Sequence, residues 1–187
     1  VSSAASDVYK RQLMSLKVAL HNLPLGGGKG GIAVNPFEIS ERELESLSRG
    51  FVRAINNYLG PRTDIPAPDV NTNAKIMGYF TDEYIALNEG RHDIAAFTGK
   101  AVEMGGSLGR GPATGFGVYL TIKKYYEKIG KSLEGASFAI QGFGNVGSST
   151  AKYLMEDGAK LVAINSKDTN PPYEAFTVLN EEGFDIG

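Results

Sequence analysis

Leu44, Leu47, Phe51, Ala54, Ile55 and Tyr58 recur at helical spacing, the repeat that lines apolar side chains along one face of a helix. Ser40 and Glu43 precede them as a capping box, in which a serine accepts from a first-turn amide and a glutamate reaches back. Gly60-Pro61 closes the helix. A second helix is predicted from about Asn73 to Asn88, with Ile76, Met77, Phe80 and Tyr84 on one face and Gly90 ending it. Helical spacing resumes at Val118, Leu120, Ile122 and Tyr125 and stops at Gly130. These stripes are core and carry no chemistry. Thr63 to Ala67 reads as a short strand that delivers Asp69 to a loop at its end. Ala136 to Gln141 and Lys160 to Asn165 read as buried strands, with a helix from Asn145 to Asp157 between them. That order is β-turn-α-β, a crossover that is almost always parallel and right-handed.

Between Thr98 and Gly117 the chain is rich in glycine and carries Ser107, Arg110 and Thr114. Such a stretch can pass between two domains with its backbone close to a ligand, or it can be an ordinary flexible linker. The whole chain has 187 residues, enough for one large domain or two small ones. Its 42% hydrophobic and 21% charged residues are those of a globular protein. A net charge of −2 provides no field to recruit nucleic acid or an anionic membrane. The absence of cysteine excludes disulfides and cysteine-ligated metal and fits a reducing compartment such as the cytoplasm, and no metal site is expected. No apolar stretch approaches the roughly 20 residues of a spanning helix. The N-terminus lacks a basic region followed by an apolar core, so no signal peptide is expected. Val1 to Asp7 is a run of small residues, and residues 1–12 are expected to be a disordered or artefactual lead.

Two glycine clusters carry the candidate chemistry. In Gly26-Gly27-Gly28-Lys29-Gly30-Gly31 a single lysine has no bulky neighbours, and the backbone can close tightly on a bound molecule. Taken alone, this is equally well a surface turn. Gly142, Gly144 and Gly147 form the second cluster, set between a strand and a helix as a dinucleotide-binding turn requires. The first glycine permits the turn, the second admits a pyrophosphate, and the third lets helix and strand approach. Phosphates would sit at the helix N-terminus, against the amides of Phe143, Asn145 and Val146. The second strand would normally end in an acidic residue for the ribose hydroxyls. Here that position is Ser166, followed by Lys167, with Asp168 two residues late. A hydroxyl beside a lysine suits a 2′-phosphate, so either NAD or NADP fits.

Lys17 lies twelve residues before Lys29, and Asp69 forty residues after it. With that spacing the segment from Lys17 to Lys29 resembles the substrate segment of the glutamate dehydrogenases, within the glutamate/leucine/phenylalanine/valine dehydrogenase family. The resemblance continues through Thr98-Gly99-Lys100, Gly105 to Arg110, Ala113-Thr114-Gly115 and Gly142 to Gly147, and covers about Leu13 to Val162. It implies an α/β fold: a partial substrate and oligomerisation domain over residues 13–112, then an incomplete Rossmann-type domain over residues 113–187. It also implies reversible oxidative deamination of L-glutamate to 2-oxoglutarate and ammonium with NAD(P). By the same resemblance, Lys17 would bind the substrate α-carboxylate, and Lys29 would polarise the carbonyl and activate water. Asp69 would shuttle the proton on the substrate nitrogen, and the backbone around Ala67 would contact the amino group. Arg110 and Thr114 would place the nicotinamide end.

A lysine that works near neutral pH needs its pKa lowered, which a neighbouring cation and exclusion of water can do. Lys17 could be that cation. The resemblance further implies a homo-oligomer, a hexamer in the full-length protein, and an internal fragment that is itself inactive. Lys29 and Asp69 are expected to face a cleft between the two domains. The residues that grip the glutamate side chain in the family lie outside the chain. A branched-chain or aromatic amino-acid dehydrogenase is therefore one alternative, and a non-catalytic, self-associating cofactor-binding module is another. His21 and His92 have no partner pattern and read as structural.

Overall fold

The computed structural model describes residues 4–90, 93–168 and 174–186. His92 lies outside them. The chain divides into two compact units, Val1–Ser107 and Leu108–Gly187.

The first unit contains α1 (Ala4–Leu20), α2 (Glu41–Ile55) and α3 (Ala74–Leu87). Residues 4–12, expected to be disordered, instead form the first turns of α1. No glycine or proline interrupts Ala4 to Leu23, and Lys10, Arg11, Gln12, Leu13 and Met14 are all good helix formers. Val18 is the α1 side chain that reaches the interior, at 3% exposure. In α2 the capping box is complete: the Glu43 amide donates to Ser40 Oγ at 3.3 Å, and the Ser40 amide donates to Glu43 Oε2 at 2.8 Å. The helix runs on into a 3₁₀ turn, Asn56–Tyr58, before Gly60. Asn73 caps α3 by accepting from the amides of Lys75 and Ile76.

The apolar stripes of α2 and α3 meet. Val52, Met77, Phe80, Tyr84 and Phe97 form the buried centre, with Phe97 edge-on to Tyr84 at 5.7 Å between ring centroids. A charged clamp runs beside this core. Arg53 Nε donates to Glu83 Oε1 at 2.6 Å, while Arg49 Nη1 donates to Asp82 Oδ2 at 2.6 Å and to Glu83 Oε2 at 3.4 Å. Thr63 to Ala67 is not a strand: its one ladder contact is an isolated bridge, Leu59 to Asp64. Pro61, Pro66 and Pro68 remove the donors that a ladder would need.

The second unit contains α4 (Ala113–Lys128), β1 (Ser137–Gln141), α5 (Asn145–Glu156), β2 (Lys160–Lys167) and β3 (Ala175–Leu179). The sheet order is β1-β2-β3, with β1 parallel and β3 antiparallel to β2. The parallel β-α-β crossover is as expected, but β3 is an addition. Phe176, Thr177, Val178 and Leu179 have strand-forming side chains, and that was the overlooked signal. β1 is not a buried strand: its exposure alternates, with Phe138 and Ile140 turned toward partial cover and Ser137, Ala139 and Gln141 exposed. A strand at a sheet edge with one face covered shows this period-2 pattern.

Helix α4 starts at Ala113, five residues before the expected Val118. Gly115 and Gly117, which suggested a loop, lie inside its first turns, and Gly115 is there for packing. A Cβ at Gly115 would stand 2.5 Å from Ser149 Cβ and 2.8 Å from the Val146 carbonyl oxygen, so α4 and α5 touch backbone to backbone. Thr150 Oγ1 donates to the Gly115 carbonyl at 3.2 Å across the same contact. Tyr119, Leu133, Leu154 and Ala159 make the buried centre of this unit. No helix among the described residues is long and apolar enough to cross a membrane.

Two outcomes follow from this packing. Gly115→Ala should force α4 off α5 and lower the unfolding temperature of the second unit in calorimetry, at a cost of about 1–3 kcal/mol for overpacking. Glu83 gives a pH signature. The Arg53 guanidinium holds its carboxyl below the ordinary range against the opposing effect of burial, and Arg49 adds to the lowering. Because the folded-state pKa is depressed, this stabilisation is fully present above the unfolded value of about 4.3. It is lost as pH falls through the depressed folded value. Glu83→Gln should therefore be less stable than the unaltered chain at neutral pH in urea titrations, with the gap narrowing below about pH 4.3.

Candidate active site and cofactor turn

The glycine segment around Lys29 has no regular secondary structure, and two contacts place it within the first unit. Gly27 lies against α1 so closely that a Cβ there would be 2.3 Å from the Arg11 carbonyl oxygen and 2.8 Å from the Ser15 amide. Two residues on, the Lys29 ammonium donates to Asp69 Oδ2. The contact joins residues forty apart in sequence and needs no side chain on either flank of the lysine. Lys29 keeps 33% of its side chain exposed and Asp69 58%, so the pair is open to a small molecule. The hydrogen bond from Lys29 holds the Asp69 carboxyl below the ordinary range; partial burial opposes it, and the amide of Val70 and the charge of Lys10 add to the lowering.

Asp69 is held from both sides. Upstream, Pro68 presses on Gly99, where a Cβ would stand 2.4 Å from Pro68 Cδ, and the Thr98 amide donates to the Pro66 carbonyl at 3.0 Å. Downstream, the loop enters the N-cap of α3 at Asn73. Lys100 follows Gly99 and is buried, with Nζ donating to the carbonyls of Ile94 at 2.6 Å and Phe97 at 2.5 Å. Burial pushes its ammonium down from the ordinary lysine range. In sequence, Thr98-Gly99-Lys100 contributes only to the family resemblance. The structure gives the three residues a task, which is to tie the 93–100 segment to the Asp69 loop.

The other candidates of this unit are less closely placed. Lys17 is exposed in the last turn of α1 and, among the described residues, forms no ion pair with Asp69. Ala67 is exposed in the extended segment before Pro68. His21 is exposed just after α1.

In the second unit the three glycines of the turn do three different things. Gly142 has φ +86°, a left-handed backbone that favours glycine, and its amide donates to the Asn165 carbonyl at 2.7 Å. Gly144 is the N-cap of α5, with no side-chain cap and open space where a Cβ would be. Gly147 is closed: a Cβ there would stand 2.0 Å from the Gly142 carbonyl oxygen. The half-buried Phe143 and the exposed Asn145 and Val146 complete the turn. The uncapped first-turn amides of α5 face a space that only glycine leaves open, which is the donor set a pyrophosphate requires. An open cavity of about 360 Å³ along β1 is lined mainly by apolar side chains such as Phe138, Ile140 and Leu154. Gly142, Val146 and Gly147 of the turn also border it.

Asn145 also reaches back to α4, its Nδ2 donating to the Gly111 carbonyl at 2.9 Å. This bond brings the glycine turn to the loop that precedes α4, where Arg110 is half-buried and Thr114 is exposed in the first helical turn. Ser166 is not at a strand end. It lies within β2 and pairs with Phe176, and the strand continues to Lys167 with Asp168 next. Pairing with β3 carries the strand past the point where its apolar run stops. Among the described residues no group of three or more His, Cys, Asp or Glu is arranged to hold a metal ion.

Both halves of the chain match known proteins. The profile of the Glu/Leu/Phe/Val dehydrogenase dimerisation domain matches residues 9–86, and that of Glutamate/Leucine/Phenylalanine/Valine dehydrogenase matches residues 105–186. The NAD-specific glutamate dehydrogenase of Peptoniphilus asaccharolyticus is 52% identical over 92% of this chain and 41% of its own length. The NADP-specific glutamate dehydrogenase of Saccharolobus shibatae is 45% identical over 93% of this chain and 39% of its own. The crystal structure of the Peptoniphilus asaccharolyticus enzyme superposes with a TM-score of 0.76 at 51% identity, covering 94% of this chain and 44% of that one. The hetero-hexameric glutamate dehydrogenase of Thermus thermophilus (Leu bound form) gives 0.88 at 32% identity, covering 98% and 42%. The chain thus spans about two fifths of the length of the curated relatives it matches. Two profiles in their family order, over a glycine-flanked lysine paired with a distant aspartate and a dinucleotide-type turn, make this chain a member of the glutamate/leucine/phenylalanine/valine dehydrogenase family.

Proposed function

We propose that this chain carries the reacting pair and the cofactor turn of a glutamate dehydrogenase. The reaction is the reversible conversion of L-glutamate, NAD(P)⁺ and water to 2-oxoglutarate, ammonium and NAD(P)H with release of a proton. The observation that carries the reading is the Lys29–Asp69 ion pair, an ammonium and a carboxylate held together in a glycine-lined, partly open setting. A carbonyl or iminium carbon needs an adjacent cation to polarise it and to orient the attacking water, and Lys29 is that cation. The substrate nitrogen must lose and regain protons. Asp69, ionised because the lysine holds its pKa down, accepts and returns them. Lys17 binds the α-carboxylate, and the Ala67 backbone contacts the amino group.

In the second unit, Gly142, Gly144 and the first turn of α5 hold the pyrophosphate, while Arg110 and Thr114 orient the nicotinamide end. NAD(P) bound there supplies the hydride acceptor. Lys167 and Asp168 stand at the end of β2, one suited to a 2′-phosphate and the other to a 2′-hydroxyl. Both cofactor types are represented among the relatives' names. A homo-oligomer, hexameric in the full-length protein, fits the hetero-hexameric neighbour.

A chimaera tests the reading, with residues 9–186 of this chain replacing the matching stretch of the Peptoniphilus asaccharolyticus enzyme. It should form NAD(P)H with glutamate. A folded chimaera with no glutamate-dependent NAD(P)H formation would refute the reading. Within the chimaera, Lys29→Ala should cut kcat by orders of magnitude, whereas Lys17→Ala should act mainly by raising KM. Near-unchanged turnover with Lys29→Ala would refute the assignment of the lysine. The 187-residue chain alone should show no glutamate-dependent NAD(P)H formation, because a dinucleotide site of this class is completed by strands beyond its first β-α-β unit.

A further inference from the structure

We propose that Thr72 is a positioning residue for the Lys29–Asp69 pair, fixing the Asp69 backbone so that one carboxylate oxygen is spent locally and the other is turned onto the lysine. The proposal rests on the catalytic reading of that pair. Thr72 is half-buried and occupies both polar groups of the Asp69 backbone. Its Oγ1 accepts from the Asp69 amide at 2.6 Å and donates to the Asp69 carbonyl at 2.9 Å, and its own amide donates to the same carbonyl at 3.1 Å. The turn between them closes through Asn71 at φ +58°, a conformation that asparagine tolerates better than most residues. In that turn the Val70 amide lies 2.9 Å from Asp69 Oδ1 and donates to it. Oδ2 is left, and it is the atom that meets Lys29.

The loop is stiff because its far end is stiff. Thr72 is followed by Asn73, which caps α3, and Ile76 and Met77 then enter the core at 5% and 1% exposure. A continuous chain of bonds therefore runs from the core of the first unit, through the α3 cap and the Thr72 hydroxyl, to Asp69. Exposed carboxylates ordinarily sample several rotamers. This one has its backbone clamped and one oxygen satisfied, so little freedom is left. A proton carrier placed about 1 Å out of position loses about 100-fold in rate, which gives the clamp a catalytic consequence. Lys29 and, at longer range, Lys10 are the cations acting on Asp69, and Asp64 stands nearby beside Gly28.

The test uses the full 187-residue chain with carboxyl-¹³C aspartate and follows Asp69 by NMR through an acid titration. In the unaltered chain the Asp69 resonance should titrate below the ordinary carboxylate range. Thr72→Val keeps the shape and removes both hydroxyl bonds. It should return Asp69 toward the ordinary range, as Lys29→Ala does, while Thr72→Ser leaves it where it was. Thr72→Ala provides a second variant with the same expected result if the valine variant does not fold. In the chimaera, Thr72→Val should lower kcat about 10–100-fold with KM within about twofold, and Thr72→Ser should restore it. An Asp69 titration that ignores Thr72→Val, or a serine variant no better than valine, would overturn the proposal. A chimaera that shows the expected Asp69 titration but never oxidises glutamate would instead overturn the catalytic reading and leave the positioning role standing.

Discussion

The Lys29–Asp69 ion pair is the constraint on which the first unit's candidate chemistry depends. The lysine sits in a segment with no helix or strand to hold it, and the aspartate sits in a loop interrupted by prolines. Regular hydrogen bonding cannot fix either, so a charge contact and a few close packings do so instead. Gly27 against α1 sets one side, and Pro68 against Gly99 sets the other. Each of these approaches requires a missing side chain. Gly27, in the run around the lysine, therefore makes room for α1.

Backbone proximity organises the second unit as well. Gly115 lets α4 rest on α5, and Gly147 lets α5 begin directly over Gly142. The two helix starts are then tied through Asn145 and Gly111. The glycines thus serve different ends: Gly26, Gly30 and Gly31 leave open space, while Gly27, Gly115 and Gly147 sit where no side chain fits. Gly144, at the start of α5, presents an opening where an anion and the first-turn amides can meet.

Much of the scaffold was legible because it is encoded locally. The Ser40–Glu43 capping box, the α2 and α3 stripes and the β1-α5-β2 order depend on residues within a few positions of one another. The errors fall where local preference competes with a distant partner. Thr63 to Ala67 makes one isolated bridge, with the Thr63 and Asp64 amides donating to Gly60 and Tyr58 carbonyls and Pro66 offering no donor. Helix α4 runs through two glycines that propensity alone would make a loop, because α5 rewards the close contact. β2 extends over Ser166 because β3 pairs with it. The first turns of α1, residues 4–12 of the expected lead, are a sequence of good helix formers without glycine or proline.

For the candidate site, the sequence by itself determined which side chains could do chemistry. A lone lysine among glycines, an aspartate forty residues on and a three-glycine turn between strand and helix are compositional facts at set spacings. Only the tertiary structure decided that Lys29 and Asp69 meet and that Pro68 packs on Gly99 to hold the Asp69 loop. The physical reason is range. Helical stripes, caps and turn glycines act over a few residues and leave a periodic mark, whereas a contact across forty residues of irregular chain depends on how the cores of α2 and α3 place its two ends, and nothing local records that.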